Sequence, residues 1–439
     1  MKHIPLFLAL LFTVPLAANE VTPLPDPLSL QQALSLIDEA HPELMQAGLD
    51  KQYSEVDLLD ATARNNFRVD LDGRLRWTEP SSSNPTRDDE DHRLSLIVSK
   101  PLYDGGLTMA RQEAARLSGL SADIDYEYVK NQHSIKVMQG FFNIILADLR
   151  AARDIEALAT AFVRMDRAED RNELGQVSDI ELLQLRSDYE QGRIKLYTSE
   201  GEARQTRLAL ALSLNRPGQQ PSQLTPPELD VNGRSLPEYE EILDRILNKN
   251  PQLTVLNYKI AAAKSRIEAA RSSGKPKVTA MLERAEQTRT TASDDEWRVG
   301  MEMSVPLYDG GTTDAAVKKA HLDLNLLMYQ RQQYELQLRA EVRQIAEQFR
   351  VLKASRDASV AFNDYRELYM DRSRALYDLE VKTDLGDAMI QISEAHVRDA
   401  QQRFEMALLL AQLNLLAGEP VMDWDAFTTK DPAPEGGGV

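Results

Sequence analysis

The chain has no cysteine among its 439 residues, which removes disulfide frameworks, thiolate metal sites and thiol nucleophiles from consideration. Aromatic residues and glycine are scarce, at 10 Phe, 3 Trp and 20 Gly, and the abundance of Ala, Leu, Gln, Arg and Glu reads as long helices. Positive charge is in deficit. A net charge of -18 argues against nucleic acid as a partner, because such binding rests on Lys and Arg neutralising phosphates. Past the N-terminal segment no apolar run approaches the roughly 20 residues of a membrane helix. Catalytic signatures are also missing. The six His form no His-Glu-x-x-His pair. Around Ser273-Gly274-Lys275-Pro276 a phosphate loop is ruled out by Ala269 at its first glycine position and by the proline after the lysine. No catalytic residue, cofactor or metal is therefore expected. The acidic clusters Asp88 to Asp91 and Asp294 to Glu296 read as solvated loop tips.

What is present is a repeat. Ser99-Lys-Pro-Leu-Tyr-Asp-Gly-Gly-Leu-Thr108 returns as Ser304-Val-Pro-Leu-Tyr-Asp-Gly-Gly-Thr-Thr313, a period of about 205 residues and far longer than a solenoid unit. Each half must then be a whole module. Other landmarks keep the order: His41-Pro42-Glu43-Leu44 is echoed by Asn250-Pro251-Gln252-Leu253, and Leu174 to Asp179 loosely by Leu379 to Asp384. Met1-Lys2-His3, the apolar run Ile4 to Leu16 and Ala17-Ala18-Asn19-Glu20 read as a secretory signal peptide cut between 17 and 20. The expected divisions are a signal peptide over 1–19, a first repeat over 20–216, a Pro-rich linker over 217–237, a second repeat over 238–420 and a C-terminal tail over 421–439.

Within each half the period of the pattern changes in the same order. Leu28 to about Asn66 is helical with a soft break at His41-Pro42. Residues 67–78 alternate, with Val69, Leu71, Leu75 and Trp77 on one face and Asp70, Asp72, Arg74 and Arg76 on the other. A second run sets Leu94, Leu96 and Val98 against Arg93, Ser95 and Ser99. The second half repeats this with Val278, Ala280 and Leu282, then Val299, Met301, Met303 and Val305. Each half thus carries one hairpin. Very long helical patterns follow, from Gly106 to about Asn172 and from about Thr312 to Asp378, with seams at Ile135, Met138, Phe142, Ile145 and Leu149 and at Leu338, Val342, Ile345, Phe349 and Leu352. Shorter helices return over about Ser178 to Asn215 and Thr383 to Gly418. In the two strand-to-helix turns, Pro101, Tyr103, Asp104, Gly105 and Gly106 match Pro306, Tyr308, Asp309, Gly310 and Gly311. The mechanical reading is that Pro101 ends its strand, the glycines take positive φ, and Asp104 or Thr108 caps the next helix.

Strand hairpins followed by long helices, twice over in an exported chain, resemble the TolC family of outer-membrane efflux ducts. The resemblance covers about Leu28 to Pro420. It is carried by the Leu-Ser-Leu-x-x-Ala-Leu start with His41-Pro42-Glu43-Leu44, by the doubled Pro-Leu-Tyr-Asp-Gly-Gly, and by Gly175-Gln-Val-Ser178 with Glu181 and Leu183. It implies a mainly α fold with a small β part: a coiled-coil helical barrel, and four strands per chain in a 12-stranded barrel shared by a homotrimer. It also implies an outer-membrane location reaching into the periplasm, a periplasmic adaptor and an inner-membrane transporter as partners, and a periplasmic gate at Glu181, Tyr377 and Lys382. Asp384 and Asp387 join that gate as acidic positions counted around the second turn. Two departures from the family pattern fall there, Glu380 in place of a glycine and Gly386 near a usual acidic position.

The residues agree on one point without the resemblance. Strands of about 8 to 12 residues can cross an outer membrane obliquely, but a bacterial barrel needs at least about eight, so one chain cannot close a pore. Trp77 and Trp297 fall where strands meet loops, as in an interfacial aromatic girdle against outer-membrane lipid. Gly175 and Ser178 mark the tip expected to meet an adaptor. The leading expectation is a passive export duct for small molecules or secreted proteins. The alternative is a periplasmic coiled-coil adaptor, which would bury the apolar strand faces in its own core. The pattern does not name the cargo.

Overall fold

The computed structural model describes residues 23–77, 79, 90–288, 295–379 and 385–430. The expected signal peptide, most of both hairpin loops, residues 380–384 with the candidates Lys382 and Asp384, and the tail from 431 lie outside the described residues.

Side-chain caps start several of the described helices. Ser29 and Gln32 form a reciprocal capping box on α1 (Leu30–Ser35), satisfying two orphan N–H groups at once. The break at His41-Pro42 is real: His41 caps α2 (Pro42–Ala63) through a hydrogen bond from the Glu43 N–H, with Pro42 at the first helical position, where its missing N–H costs nothing. Asn250 does the same between α5 (Tyr239–Lys249) and α6 (Pro251–Ser272). The long helices α3 (Leu107–Glu173) and α7 (Thr312–Asp378) have 67 residues each and extend roughly 100 Å at 1.5 Å per residue. The return helices are α4 (Asp179–Ser213) and α8 (Leu385–Ala417).

Four strands form one antiparallel sheet in the order β1 (Arg68–Arg74), β2 (Arg93–Tyr103), β4 (Lys277–Gln287), β5 (Trp297–Ser304). The two hairpins are thus joined through β2 and β4. One expectation is corrected here: Pro101 does not end its strand. β2 continues to Tyr103 against β4, and the register shifts between Pro101 and Tyr103, because proline offers no N–H to the ladder and a bulge absorbs the gap. Pro306, in contrast, lies beyond the end of β5.

The core sits midway along the helices. Phe142 of α3 stacks on Phe404 of α8 with ring centroids 4.4 Å apart, amid Met138, Leu210, Ile246, Val342 and Phe349, all buried. Both seams read from the sequence point into this cluster. The Pro-rich linker and the C-terminal segment meet beside it. There β3 (Arg234–Ser235) pairs with β6 (Thr429–Lys430), and Phe427 and Val421 are buried. Arg234, only 2% exposed, bonds Asp425 at 2.6 Å, Thr428 Oγ1 at 2.8 Å, the Trp424 carbonyl at 3.0 Å and Asp230 at 2.9 Å. A buried guanidinium is tolerated only with that degree of pairing.

Candidate functional site

The strand register collects the apolar residues of four strands on one face. Val69, Val98, Leu282 and Val299 lie in one row, and Leu71, Leu96, Arg284 and Trp297 in another. Among the described residues no element covers this face: Val69, Leu71, Val299 and Met301 are 61 to 83% exposed. The opposite face carries Arg68, Asp70, Asp72, Ser95, Glu283, Arg298 and Glu302. There Glu283, nearly buried, pairs with both Arg93 and Arg298 across three strands. Ser95 is on this polar face as expected but is only 3% exposed.

Aromatic rings mark both ends of the sheet. At the loop end Trp77 bridges to Glu90 and packs edge-on against His92 at 5.0 Å, while Arg284 lies 5.4 Å over the ring of Trp297. At the helix end Phe67, Tyr103 and Tyr308 are exposed. Aromatic residues thus stand at both ends of the apolar band.

Below the sheet the two Asp-Gly-Gly turns act as mechanical joints. Asp104 accepts from the N–H groups of Gly106 and Thr108, and Asp309 from those of Gly311 and Thr313; all four glycines have positive φ. Burial works against ionisation of Asp104, but its bonds from Thr108 and Gly106 outweigh it and hold the carboxyl below its usual range. In the second turn the bonds from Thr313, joined by that from Gly311, hold the Asp309 carboxyl well below that range. Ionised carboxylates at helix N-termini are favoured by the helix dipole.

At the far end, Gly175 (φ +69°) closes α3. The Gln176 N–H bonds the Arg171 carbonyl at 2.9 Å and the Gly175 N–H that of Asn172 at 2.8 Å, a Schellman arrangement. Ser178 then caps α4 through the Glu181 N–H at 3.2 Å. The tip exposes Leu174, Ile180 and Leu183. Nearby, Tyr377 shares a groove between α3, α7 and α8 with Arg164, Arg167, Gly386 and Met389, and Asp387 pairs with Arg164. Arg164 thus relates the two candidates, lining the groove with Tyr377 and neutralising Asp387 in part through the ion pair. Glu181 sits on the other hairpin, and among the described residues no hydrogen bond or ion pair joins it to either of them.

Residues 242–419 match the family described as outer membrane efflux protein. Those 178 of the chain's 439 residues run from within α5 to just past α8. No curated protein matches the chain by sequence. Among solved structures, it is similar in fold to the Campylobacter jejuni CmeC outer membrane channel (16% identity, 89% of this chain and 85% of that one, TM-score 0.72). It is also similar to the outer membrane protein VceC of Vibrio cholerae (15%, 90% and 96%, 0.69) and to the open state of the Neisseria gonorrhoeae MtrE outer membrane channel (16%, 89% and 89%, 0.65).

Sequence reasoning missed Arg164 and the Arg93–Glu283–Arg298 bridge. Arg93 and Glu283 lie 190 residues apart, and Arg164 and Asp387 lie 223 apart, so no local pattern links them. It also passed over His133. Buried on α3, His133 donates from Nε2 to the Ser213 carbonyl at 2.8 Å and faces Glu43 at 3.3 Å, with His41 against its ring. Ligand atoms of His41, Glu43 and His133 lie within 4.8 Å of one another, a spacing compatible with a cation. Their bonds are already taken, however: Lys136 Nζ is 2.8 and 2.9 Å from the two Glu43 oxygens, and His41 Nδ1 accepts the α2 cap bond. The hydrogen bond from Lys136 holds the Glu43 carboxyl below its usual range. This network locks α2 and α4 onto α3.

Proposed function

We propose that this chain is a passive outer-membrane export duct. Three copies close their four-stranded sheets into a twelve-stranded barrel, and the long helices continue it as a tunnel through the periplasm. A periplasmic adaptor recruited at the Leu174–Leu183 tip and an inner-membrane transporter supply selection and energy. The single observation that carries this reading is the uncovered apolar face of an open sheet. An edge left unpaired in lipid costs several kcal/mol for each backbone group, so a membrane sheet must close, and four strands are too few. The adaptor alternative requires those faces to be buried within the chain, and they are exposed. The signal peptide over 1–19 would direct export, and the linker over 217–237 would join the two repeats.

Tyr377, Asp387 and Arg164, with Glu181, Lys382 and Asp384, are proposed as the periplasmic gate, and Trp77 and Trp297 as the outer girdle. Light scattering of the purified protein in detergent should return the mass of three chains, and planar bilayers should show a conducting channel; a clean monomer without conductance refutes the duct. Replacing Gly175 by Val, which strains a positive-φ position, should abolish adaptor capture while leaving channel insertion intact. Normal capture by that variant would move the docking site away from the tip.

A further inference from the structure

A lone lysine stands on the apolar face of the sheet near its helix end. Alternation along β2 puts Leu94, Leu96, Val98 and Lys100 on the same side, and Lys100 is flanked there by Ala280 of β4, with Met301 one strand further. Its ammonium lies 4.7 Å from the ring centre of Phe67, the residue before β1. Among the described residues it has no ion-pair or hydrogen-bond partner. Beyond the Val98 row toward the helix end, the face carries Ala280, Val278, Met301 and Met303 and, among the described residues, no carboxylate. The fold itself does not require the charge, because in the second copy of the motif Ser304-Val305-Pro306 takes the place of Ser99-Lys100-Pro101.

The bulge that carries β2 past Pro101 adds a hydroxyl to the same side. Pro101 stands opposite Thr279, on the polar face, and Tyr103 opposite Val278, on the apolar face; strict alternation would have given Tyr103 the face of Pro101. Tyr103 is exposed, and its hydroxyl has no hydrogen-bond partner among the described residues. It follows Lys100 by one step on the face, roughly 7 Å. Beside these two polar ends runs a groove of about 550 Å³, lined by Phe67, Val98, Lys100, Leu282, Val299 and Met301 around the small side chain of Ala280.

In the proposed duct this face meets hydrocarbon and the helices continue into the periplasm, so the helix end of the groove belongs to the periplasmic leaflet. Lys100 lies roughly 7 Å along the strand from Val98, inside half of an apolar band about 25 Å tall. A lysine at that depth is costly unless its stem reaches the headgroup level and its charge is matched there.

We propose that each chain holds one anionic phospholipid of that leaflet, with an acyl chain in the groove over Ala280 and the headgroup phosphate on the Lys100 ammonium and the Tyr103 hydroxyl. Charge selects the lipid. Phosphate and lysine make a charge-assisted hydrogen bond, whereas a zwitterionic headgroup brings a cation of its own, for which this end of the face offers no carboxylate. The Asp104 carboxylate of the following turn is taken by the Gly106 and Thr108 N–H groups. Phe67 holds the lysine head at the rim of the groove by a cation–π contact. Val305 gives the second repeat no equivalent, so the expected stoichiometry is one lipid per chain.

This inference rests on the duct proposed above, and native mass spectrometry of the full-length protein, purified in detergent and titrated with single lipids, separates the two. Phosphatidylglycerol should bind at least about tenfold more tightly than phosphatidylcholine with the same acyl chains, the scale of one hydrogen bond to a charged group. Lys100→Met should remove that preference while planar-bilayer conductance stays at the parent level, and Lys100→Arg should keep it. Ala280→Leu, which fills the groove and leaves the charge in place, should weaken both lipids. Inorganic phosphate should show no binding. Conducting three-chain particles that bind the two lipids alike, that keep the preference in Lys100→Met, or that bind inorganic phosphate as tightly as phosphatidylglycerol overturn the lipid site and leave the duct intact. A monomer without conductance overturns both.

Discussion

Val98→Arg is the sharpest probe of which face meets lipid. Val98 is the central residue of the eleven in β2, flanked by Val69 and Leu282, with Val299 one strand further. Eleven residues span roughly 36 Å, so in the proposed duct Val98 falls near mid-bilayer and is a better choice than Leu96, whose cross-strand neighbour is Arg284. An arginine at the midplane of a barrel costs about 2 to 4 kcal/mol, falling to about 0 to 1 near the interface. The folding equilibrium should then shift by about 30- to 1000-fold per chain. Met281→Arg, one row away on the polar face between Ser99 and Gly300, places its charge near Glu283 and should cost under about 1 kcal/mol. Leu94→Arg, near the loop end, should fall between them. Urea titration of each variant refolded into lipid vesicles, followed by tryptophan fluorescence, measures the differences. Equal losses for Val98→Arg and Met281→Arg would refute the assignment of faces.

Other changes test the gate and the scaffold. Arg164→Ala should raise planar-bilayer conductance by releasing α8 from α3, and should strengthen block by multivalent cations because Asp387 loses its counter-charge; unchanged block would place Asp387 off the conduction path. Tyr377→Phe should raise conductance without altering cation block, and a change in block would point to an altered ring charge instead. Glu43 has a depressed folded pKa, so its pairing with Lys136 stabilises the fold above the unfolded value of about 4.3 and is lost as pH falls through the folded value. Lys136→Met should therefore be less stable than the parent at pH 7, with the gap closing under acid, and a gap constant from about pH 7 to about pH 3 in denaturant titrations would contradict this. Arg234→Met should lose about 3 kcal/mol, the low end for breaking a buried pair, since Asp425 and Asp230 remain exposed enough to rehydrate; thermal melting of the assembled protein reads the loss.

The sequence by itself determined the features that depend on near neighbours along the chain. Helix periodicity and capping placed Gly106 to about Asn172 and Thr312 to Asp378, against observed ends at Leu107, Glu173, Thr312 and Asp378. Period-two alternation assigned Val69, Leu96, Val98 and Val299 each to the apolar face of its own strand, because side chains alternate across any strand whatever it pairs with. Only the tertiary structure decided which strands meet, how far β2 runs past Pro101, and that the linker and C-terminal segment join through Arg234. It alone paired Arg164 with Asp387 and put Glu283 between two arginines. These depend on groups brought together from distant positions, whose loop-closure entropy is offset only by burial and pairing in the finished fold, and no local pattern records them.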